Sequence, residues 1–246
     1  MKKLKRTEYV SKLSSSMFLN VEDLKPDAKT IREYIEIYKD REMIPITYQE
    51  LTNTAINSRL QLNTENLEWS IRFGSNRVDV EKNSLNITGS NIGSVDTFCR
   101  DSSEIYKKLL KSISRKANRL SLVSYFVLEY DNVFTPKIYA KLFKLCSTFK
   151  KNIPFEWKWR VVSKVTKPEI NEEVNYILDV SKIVINISDK ESKKKIDGLS
   201  ILIDINTIPT KTEDRFAYEQ VKTFYDNVYR WREEIQNDFT KFIEKS

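Results

Sequence analysis

The chain has 246 residues, of which 40% are hydrophobic and 11% aromatic, with only 4 Gly and 6 Pro. This composition excludes a disordered, collagen-like or low-complexity chain, because it supplies enough apolar side chain to bury a sizeable core. The formal net charge is +7, from 42 Lys and Arg against 35 Asp and Glu. No apolar run approaches the roughly 20 residues of a membrane span, and the basic start is not a signal peptide. We therefore expect a soluble, cytoplasmic protein with no membrane contact.

The sequence contains no histidine and only two cysteines, Cys99 and Cys146. The absence of imidazole removes the Ser-His-Asp and Cys-His hydrolases and the commonest transition-metal ligand. Two isolated cysteines form neither a zinc site nor a disulfide framework, so we expect reduced thiols in the core. Binding is favoured over catalysis, and we expect no cofactor and no metal. Any remaining chemistry would use carboxylates with a hard cation, a lysine or tyrosine of shifted pKa, or an externally supplied cofactor.

Two capping boxes near the N-terminus predict helices. In each box a Thr is followed three residues later by a Glu and an apolar pattern of helical spacing. The first helix follows Thr30, and the second follows Thr47 and continues to Leu62. No regular element is expected before them. That segment is a basic N-terminal tail, interpreted as a flexible solubilising end with the cations Lys2, Lys3, Lys5 and Arg6.

A hairpin and a helix are expected next. The segments NLEWSIRF and RVDVEK alternate apolar and polar residues on either side of a GSN turn, which predicts two antiparallel strands. A short third strand is expected at Leu85 and Ile87. Residues 89–101 have the Gly and Ser content of a loop. An amphipathic helix is then expected from about Ser102 to Asn118.

The C-terminal half predicts strands and two helices. RLSLVSYFVLEYD is a strand, and Thr135 with Pro136 fits the start of a helix that continues to about Cys146. FEWKWRVVSKV, VNYILDVSKIVINI and LSILIDINTI are three further strands, followed by the longest helix from the capping box of Thr210 and Glu213. The apolar positions of this terminal helix are spaced by three or four: Val221, Phe224, Val228, Trp231, Ile235, Phe239 and Phe242.

This order of elements predicts an α+β fold with an antiparallel or mixed β-sheet covered by helices. The last three strands have no helices between them, which argues against a doubly wound sheet. The terminal helix is expected to pack on the sheet, although its spacing would also suit a dimer seam. We expect one domain over residues 1–246, with a possible internal boundary near residue 90. The oligomeric state stays open.

The layout resembles that of a sporadically distributed, functionally uncharacterised bacterial family of α+β proteins of about this length. The segments that carry the resemblance are LEWSIRF leading to NRVDV, RLSLVSYFVLEY after a helix, and LSILIDINTI before a long terminal helix. The resemblance implies a non-secreted bacterial protein that is often accessory to another system. It assigns no site residue.

The positive charge is concentrated in the middle of the chain. Residues 100–167 hold 16 Lys and Arg against 5 Asp and Glu, a net charge of +11. Two basic helical faces on one side of a sheet would bind nucleic acid, or an acidic protein surface, with salt-sensitive affinity. The candidate residues are Lys107, Lys108, Lys111, Arg115, Arg119, Lys137, Lys141, Lys144, Lys150 and Lys151.

A second interpretation of this basic region remains open. The cations could be only the solvated faces of amphipathic helices, neutralised by Asp226, Glu233 and Glu234 of the terminal helix. The protein would then be an accessory or scaffold subunit with no nucleic-acid role.

In the segment FEWKWR, Phe155 and the two tryptophans would share one face of a strand, which favours core packing over stacking on bases.

A magnesium-dependent nuclease is the alternative from a different class. Glu156 and Lys158 on one strand face, with Asp131 at the end of an earlier strand, match the outline of a restriction-type nuclease core. In such a core the carboxylates hold Mg²⁺ and the lysine supports the attacking water. Asp204, near the end of LSILIDIN, is interpreted as a cap or turn residue.

Overall fold

The computed structural model describes residues 7–52, 55–86, 88–129, 134–143, 149, 151–152, 154–188 and 193–244. In these residues nine strands form one antiparallel sheet. The strands are β1 (Thr7–Phe18), β2 (Ile44–Leu51), β3 (Ile56–Asn63), β4 (Trp69–Phe73), β5 (Arg77–Asn83), β6 (Arg119–Glu129), β7 (Lys158–Lys167), β8 (Glu172–Ser188) and β9 (Lys193–Thr207). The helices are α1 (Ala28–Ile37), α2 (Val95–Ile113), α3 (Phe134–Leu142) and α4 (Tyr218–Glu244). The α+β class and the long C-terminal helix on the sheet are confirmed; the single domain stays a prediction.

The first strand lies at the centre of the sheet, which corrects the expectation of an irregular N-terminal segment. The strand order is β2-β3-β4-β5-β1-β6-β9-β8-β7, so β1 pairs with β5 on one side and β6 on the other. Its serine-rich sequence hides the apolar alternation, because only Leu13 and Met17 are fully buried apolar residues of the strand. Residues 1–6, with the four cations of the tail, lie outside the described residues.

The second capping box does not start a helix. The segment forms the hairpin of β2 and β3, in which Thr52 and Ala55 close the turn through the Thr52 hydroxyl and both backbones. Leu60 and Leu62 are buried two residues apart, which is strand periodicity. The β-branched residues that flank the box favour this outcome, since they pack well on a pleated surface.

Several helix starts differ from those that the sequence predicts. The carboxylate of Asp27 caps α1 by accepting from the amides of Lys29 and Thr30, so this helix begins before the Thr30 box. Ser94 caps α2, which therefore begins inside the expected 89–101 loop. α4 begins at Tyr218, after the Thr210 box. Leu85 is not in a strand, and Ile87 and Cys146 lie outside the described residues.

The core lies between one face of the sheet and the helices α1, α2 and α4. Tyr34 of α1 packs edge-on against Phe73, Phe98 of α2 stacks on Trp69, and Phe239 of α4 stacks on Trp159. The side chains of these three strand residues lie on the same face of the sheet by register, and we call it the covered face. The opposite face, which these helices leave uncovered, is called the open face.

Two stacked tyrosines join α2 and α4 to the centre of the sheet. The rings of Tyr106 and Tyr225 lie 5.5 Å apart, and Tyr106 shares a hydrogen bond of 3.1 Å with the hydroxyl of Ser15. The Tyr225 hydroxyl lies 3.3 Å from the carbonyl of Ser16 and 3.1 Å from that of Ser121. One phenol thus connects α4 to both central strands, β1 and β6.

We expect Tyr225→Phe to lower the free energy of unfolding by about 1–2 kcal/mol, because two buried carbonyls lose a donor while the ring packing remains. Urea unfolding followed by circular dichroism measures the change. Tyr229→Phe, on the same helix but only partly buried, is the matched control and should shift stability by less than about 0.5 kcal/mol. Equal effects of the two variants would contradict this role of Tyr225.

Candidate nucleic-acid interface

A row of polar side chains crosses the centre of the open face. The register places Asp79 of β5 opposite Ser16, Ser16 opposite Ser121, Ser121 opposite Asn206, and Asn206 opposite Asn175 of β8. Four of the five are buried, and Asn175 is half-buried. We call these five residues the polar row. Its burial distinguishes this row from an ordinary solvated sheet face, where polar residues are exposed.

Hydrogen bonds satisfy much of this row. Ser16 donates to Asp79 Oδ1 at 2.6 Å, and the Asn175 amide donates to Asn206 Oδ1 at 3.1 Å. Asn206 in turn donates to Asp204 Oδ1 at 2.9 Å. Asp204 therefore lies within β9 with its carboxylate on the open face, which corrects its interpretation as a cap or turn residue. Buried polar groups that are paired in this way hold a fixed geometry.

Three arginines surround the Asp79 end of the polar row, and we call them the arginine cluster. Arg72 of β4 lies opposite Asp79, while Phe18 of β1 lies between Arg77 on β5 and Arg119 on β6. The guanidinium of Arg119 lies over the Phe18 ring, 4.5 Å from its centroid. Arg77 Nε is 3.0 Å from Asp79 Oδ2. Arg77 and Arg72 thus share Asp79, whereas the carboxylate that acts on Arg119 is Asp204.

Arg119 is the least compensated member of the cluster. Its Nε atom is buried without a hydrogen-bond partner, and among the described residues no carboxylate lies within 4.0 Å of it. Burial lowers the pKa of the Arg119 guanidinium, as does the positive charge of Arg77, while Asp204 opposes the shift. A guanidinium that is partly desolvated and repelled by a like charge is stabilised when an anion approaches its accessible atoms.

Two carboxylates of the open face, Asp79 and Asp204, are held in surroundings that disfavour their charge. Burial raises the pKa of Asp79, and the attraction of Arg77 and Arg72 and the hydrogen bond from Ser16 do not reverse this. Burial likewise raises the pKa of Asp204 above its ordinary value. Perturbed carboxylates, together with the buried and unpartnered Nε of Arg119, make the centre of the open face the candidate site.

The basic residues predicted on α2 are largely matched by acids. Lys108 Nζ is 2.5 Å from Asp40 Oδ1, and Arg115 makes two hydrogen bonds of 2.7 and 2.8 Å to the carboxylate of Asp23. These bonds lower the pKa values of Asp40 and Asp23. Lys107 has a longer contact, 3.4 Å, with Glu104 of its own helix. The acids come from α2 itself and from the segments flanking α1, not from α4 as the alternative expected.

The rest of the predicted basic set is dispersed. Lys111, Lys137 and Lys151 are exposed, whereas Arg119 lies in β6 and belongs to the open face. Lys141 bonds the carbonyl of Phe242 and lies over its ring. Lys144 and Lys150 lie outside the described residues.

The two basic helices do not form one surface. Lys107 of α2 lies over the ring of Tyr218 at the start of α4, and Lys141 of α3 over Phe242 near its end. At 1.5 Å per residue, these two rings are about 36 Å apart along the helix.

The geometry around Glu156 and Lys158 differs from that of the nuclease outline. Glu156 precedes β7 and is exposed, so it does not share a strand face with Lys158. Lys158 is 3.0 Å from Asp179, which also accepts from Arg160 at 2.8 Å. Asp131 lies outside the described residues, and within them no group of three His, Cys, Asp or Glu could hold a metal.

The FEWKWR segment is only partly core. Phe155 is 87% exposed, whereas Trp157 is buried and Trp159 is half-buried. Only the two tryptophans therefore pack against the core, as we expected for all three aromatics. Phe155 does not, because it precedes β7, which begins at Lys158.

The sequence signal for the open-face site was present but indirect. The spacing of Ser14, Ser16 and Phe18 has strand periodicity, which becomes visible only once β1 is known to be a strand. The convergence of Arg77 and Arg119 depends on β1 inserting between β5 and β6. This pairing joins residues about a hundred positions apart, and no local pattern predicts it.

Comparisons with known proteins add little. None of the described helices is long and apolar enough to cross a membrane. No family model and no curated protein matches the sequence. Among solved structures, a rolling circle replication initiator protein from Geobacillus stearothermophilus matches with a TM-score of 0.30 at 10% identity, over 91% of this chain and 80% of that chain. This likeness is too low to carry an argument.

We expect Asp204→Asn to raise stability near pH 7 by on the order of 1 kcal/mol. The raised folded-state pKa of Asp204 means that its ionised form destabilises the native protein above that pKa. The gain in stability should therefore disappear as the pH falls below 3.8, the pKa of the carboxyl in the unfolded chain, because the carboxyl is then protonated in both the folded and the unfolded state. Thermal unfolding of variant and wild type from pH 3.5 to 8 measures the difference.

The control for this pH dependence is Asp27→Asn. Hydrogen bonds, chiefly from the Thr30 amide, lower the pKa of Asp27, so the charge of that carboxylate stabilises the fold above its unfolded pKa. Its variant should be destabilised at pH 7, with a difference that shrinks on acidification. A constant gain for Asp204→Asn across the range would contradict the burial argument.

Proposed function

We propose that this protein is a non-enzymatic nucleic-acid-binding or accessory protein that holds a sugar-phosphate backbone on the open face of its sheet. The observation that carries the proposal is the arginine cluster, in which Arg77 and Arg119 repel each other across Phe18 and, among the described residues, Arg119 has no carboxylate within 4.0 Å. A phosphate that contacts the accessible atoms of these two guanidinium groups neutralises the repulsion between them.

The surroundings of the cluster suit an extended polymer better than a small anion. The polar row extends the site across five strands, a distance of roughly 19 Å at 4.8 Å per strand. Tyr125 of β6, on the same face, is 37% exposed and offers a ring to an unstacked base, as Phe18 does beside Arg119. A single strand could use both the rings and the arginines.

The basic face of α2 is a weaker candidate for the same role. Lys108 and Arg115 already have carboxylate partners, and a phosphate would have to compete with them. Exposed ion pairs contribute little energy, but they cancel the local field that would attract a polyanion. Lys111 and Lys137 are exposed and remain proposed as peripheral contacts.

The test is binding of labelled single- and double-stranded DNA and RNA by fluorescence anisotropy across 50–300 mM salt. We expect Arg77→Gln combined with Arg119→Gln to weaken binding by at least about tenfold, and to reduce the slope of log K against log salt by about 1–2. The matched control is Lys111→Gln combined with Lys137→Gln. It removes the same charge from the helices and should weaken binding by less than about threefold.

Three results would contradict the proposal. Wild-type protein that binds no nucleic acid at 50 mM salt would sink it, and a control that weakens binding more than the arginine variant would move the site to the helices. Cleavage of the nucleic acid in Mg²⁺ would contradict the non-enzymatic assignment. Circular dichroism spectra and melting curves of all variants establish that the comparison is between folded proteins.

A further inference from the structure

The two edges of the sheet differ in how they resist pairing with another chain. β2, at one edge, carries Pro45, which lacks the amide hydrogen that a ladder needs. β7, at the other edge, has ten residues and no proline. Within the described residues β7 pairs only with β8, so one side of its backbone is available. Long edge strands without a break are templates for an added strand.

The charge of β7 selects among possible partners. Lys158, Arg160, Lys164 and Lys167 make the strand +4, and it contains no acidic residue. The neighbouring β8 carries three carboxylates. Lys158 and Arg160 share Asp179, Glu172 pairs with Lys211 and Arg215, and Glu173 lies opposite Thr166. Lys164 is exposed, and no acidic side chain of the described residues forms an ion pair with it. A strand that carries acids would gain from this excess of positive charge.

A second copy of the same strand fits poorly. In an antiparallel pairing of two β7 strands centred on Val162, Arg160 would lie opposite Lys164 of the other copy on both sides of the centre. Like charges directly opposite each other destabilise a ladder. The lysines therefore oppose self-association while leaving the edge open to an acidic segment.

An apolar groove lies beside this edge on the covered face. It has a volume of about 420 Å³ and runs between β7, β8 and the C-terminal half of α4. Val161 of β7 and Phe242 of α4 line it, and each is 43% exposed. Trp159 and Phe239 form its floor, with their rings stacked 6.4 Å apart. A strand added to β7 would direct alternate side chains toward this groove.

We propose that β7 is a docking edge for an acidic extended segment of a partner protein, which adds to the sheet as a tenth strand. Its backbone pairs with the free side of β7. Its apolar side chains alternate into the groove beside Val161 and Phe242, and its carboxylates face Lys158, Arg160 and Lys164 on the open face. This mode is β-strand addition, in which backbone bonds supply affinity and alternating side chains supply specificity.

The probe for this proposal is a fluorescein-labelled ten-residue peptide of alternating Glu and Val, with binding to the full chain measured by anisotropy at pH 7. The charge-matched control peptide alternates Glu and Pro and cannot form a ladder. A Lys and Val peptide tests the sign of the charge. We expect the Glu and Val peptide to bind at least tenfold more tightly than either control.

Two protein variants locate the binding edge. Lys164→Glu should weaken binding of the Glu and Val peptide by at least fivefold. Lys29→Glu, which is an identical charge change on the exposed surface of α1, should have little effect on that binding. Phe242→Ala tests the groove and should weaken binding of the same peptide while leaving the weaker binding of the Glu and Pro control unchanged. Hydrogen exchange should show new protection of alternate β7 amides in the complex.

The proposal is overturned if the Glu and Pro peptide binds equally well, since that would be attraction by charge alone. It is also overturned if Lys29→Glu weakens binding as much as Lys164→Glu, or if no peptide binds. The outcome is independent of the nucleic-acid site, because Arg77→Gln with Arg119→Gln leaves β7 unchanged and should retain peptide binding.

Discussion

The pairing of β1 with both β5 and β6 is the constraint on which the rest of the structure depends. The strands β2 to β5 follow one another along the chain as an antiparallel meander, and β6, β9, β8 and β7 form a second group. Only β1 lies between the groups, with seven register pairs to β5 and eleven to β6. Tyr225 contacts this junction from α4, at the carbonyls of Ser16 and Ser121. A sheet that lost β1 would be two separate sheets with two additional unpaired edges.

The candidate nucleic-acid site exists because of the same junction. Ser16 and Phe18 of β1 stand between Asp79 and Arg77 of β5 on one side and the residues of β6 on the other. The arginines approach each other across Phe18, and this brings together charges that repel. Such an arrangement stores an unfavourable interaction that an anion relieves, which is how binding sites often depart from the most stable packing. On the covered face Arg232 of α4 is likewise buried with one nitrogen that lacks a partner, but it donates to Ser124 of β6 and so serves the contact between helix and sheet.

Much of the fold was predictable, and the failures have physical reasons. The strands β4 to β9 and the apolar face of α4 follow from periodicity, because Trp69, Ile71 and Phe73, or Val221, Phe224 and Val228, repeat at the spacing of their elements. β1 and the β2–β3 hairpin were missed because serines occupy strand positions in the first, and because a capping-box spacing at Thr47 arises by chance in the second. The candidate site could not be predicted, since its arginines come from strands whose pairing is set by long-range register.

The charge excess of residues 100–167 shows why composition alone does not locate a binding surface. Its cations separate onto several regions of the fold. Lys108 of α2 and Arg115 just beyond that helix meet acids from the segments around α1. Arg119 turns to the open face, and Lys164 lies on the free edge. Lys111 and Lys137 are exposed on the helices. Of these cations in the described part of the chain, only Arg119 has a buried nitrogen without an acceptor. The same net charge therefore has different consequences according to local pairing and burial. A cation with a carboxylate at 2.7 Å has little residual electric field, whereas a desolvated cation without an acceptor retains its field. The polyanion surface that we propose is distinguished by a local shortage of acceptors, not by the number of lysines.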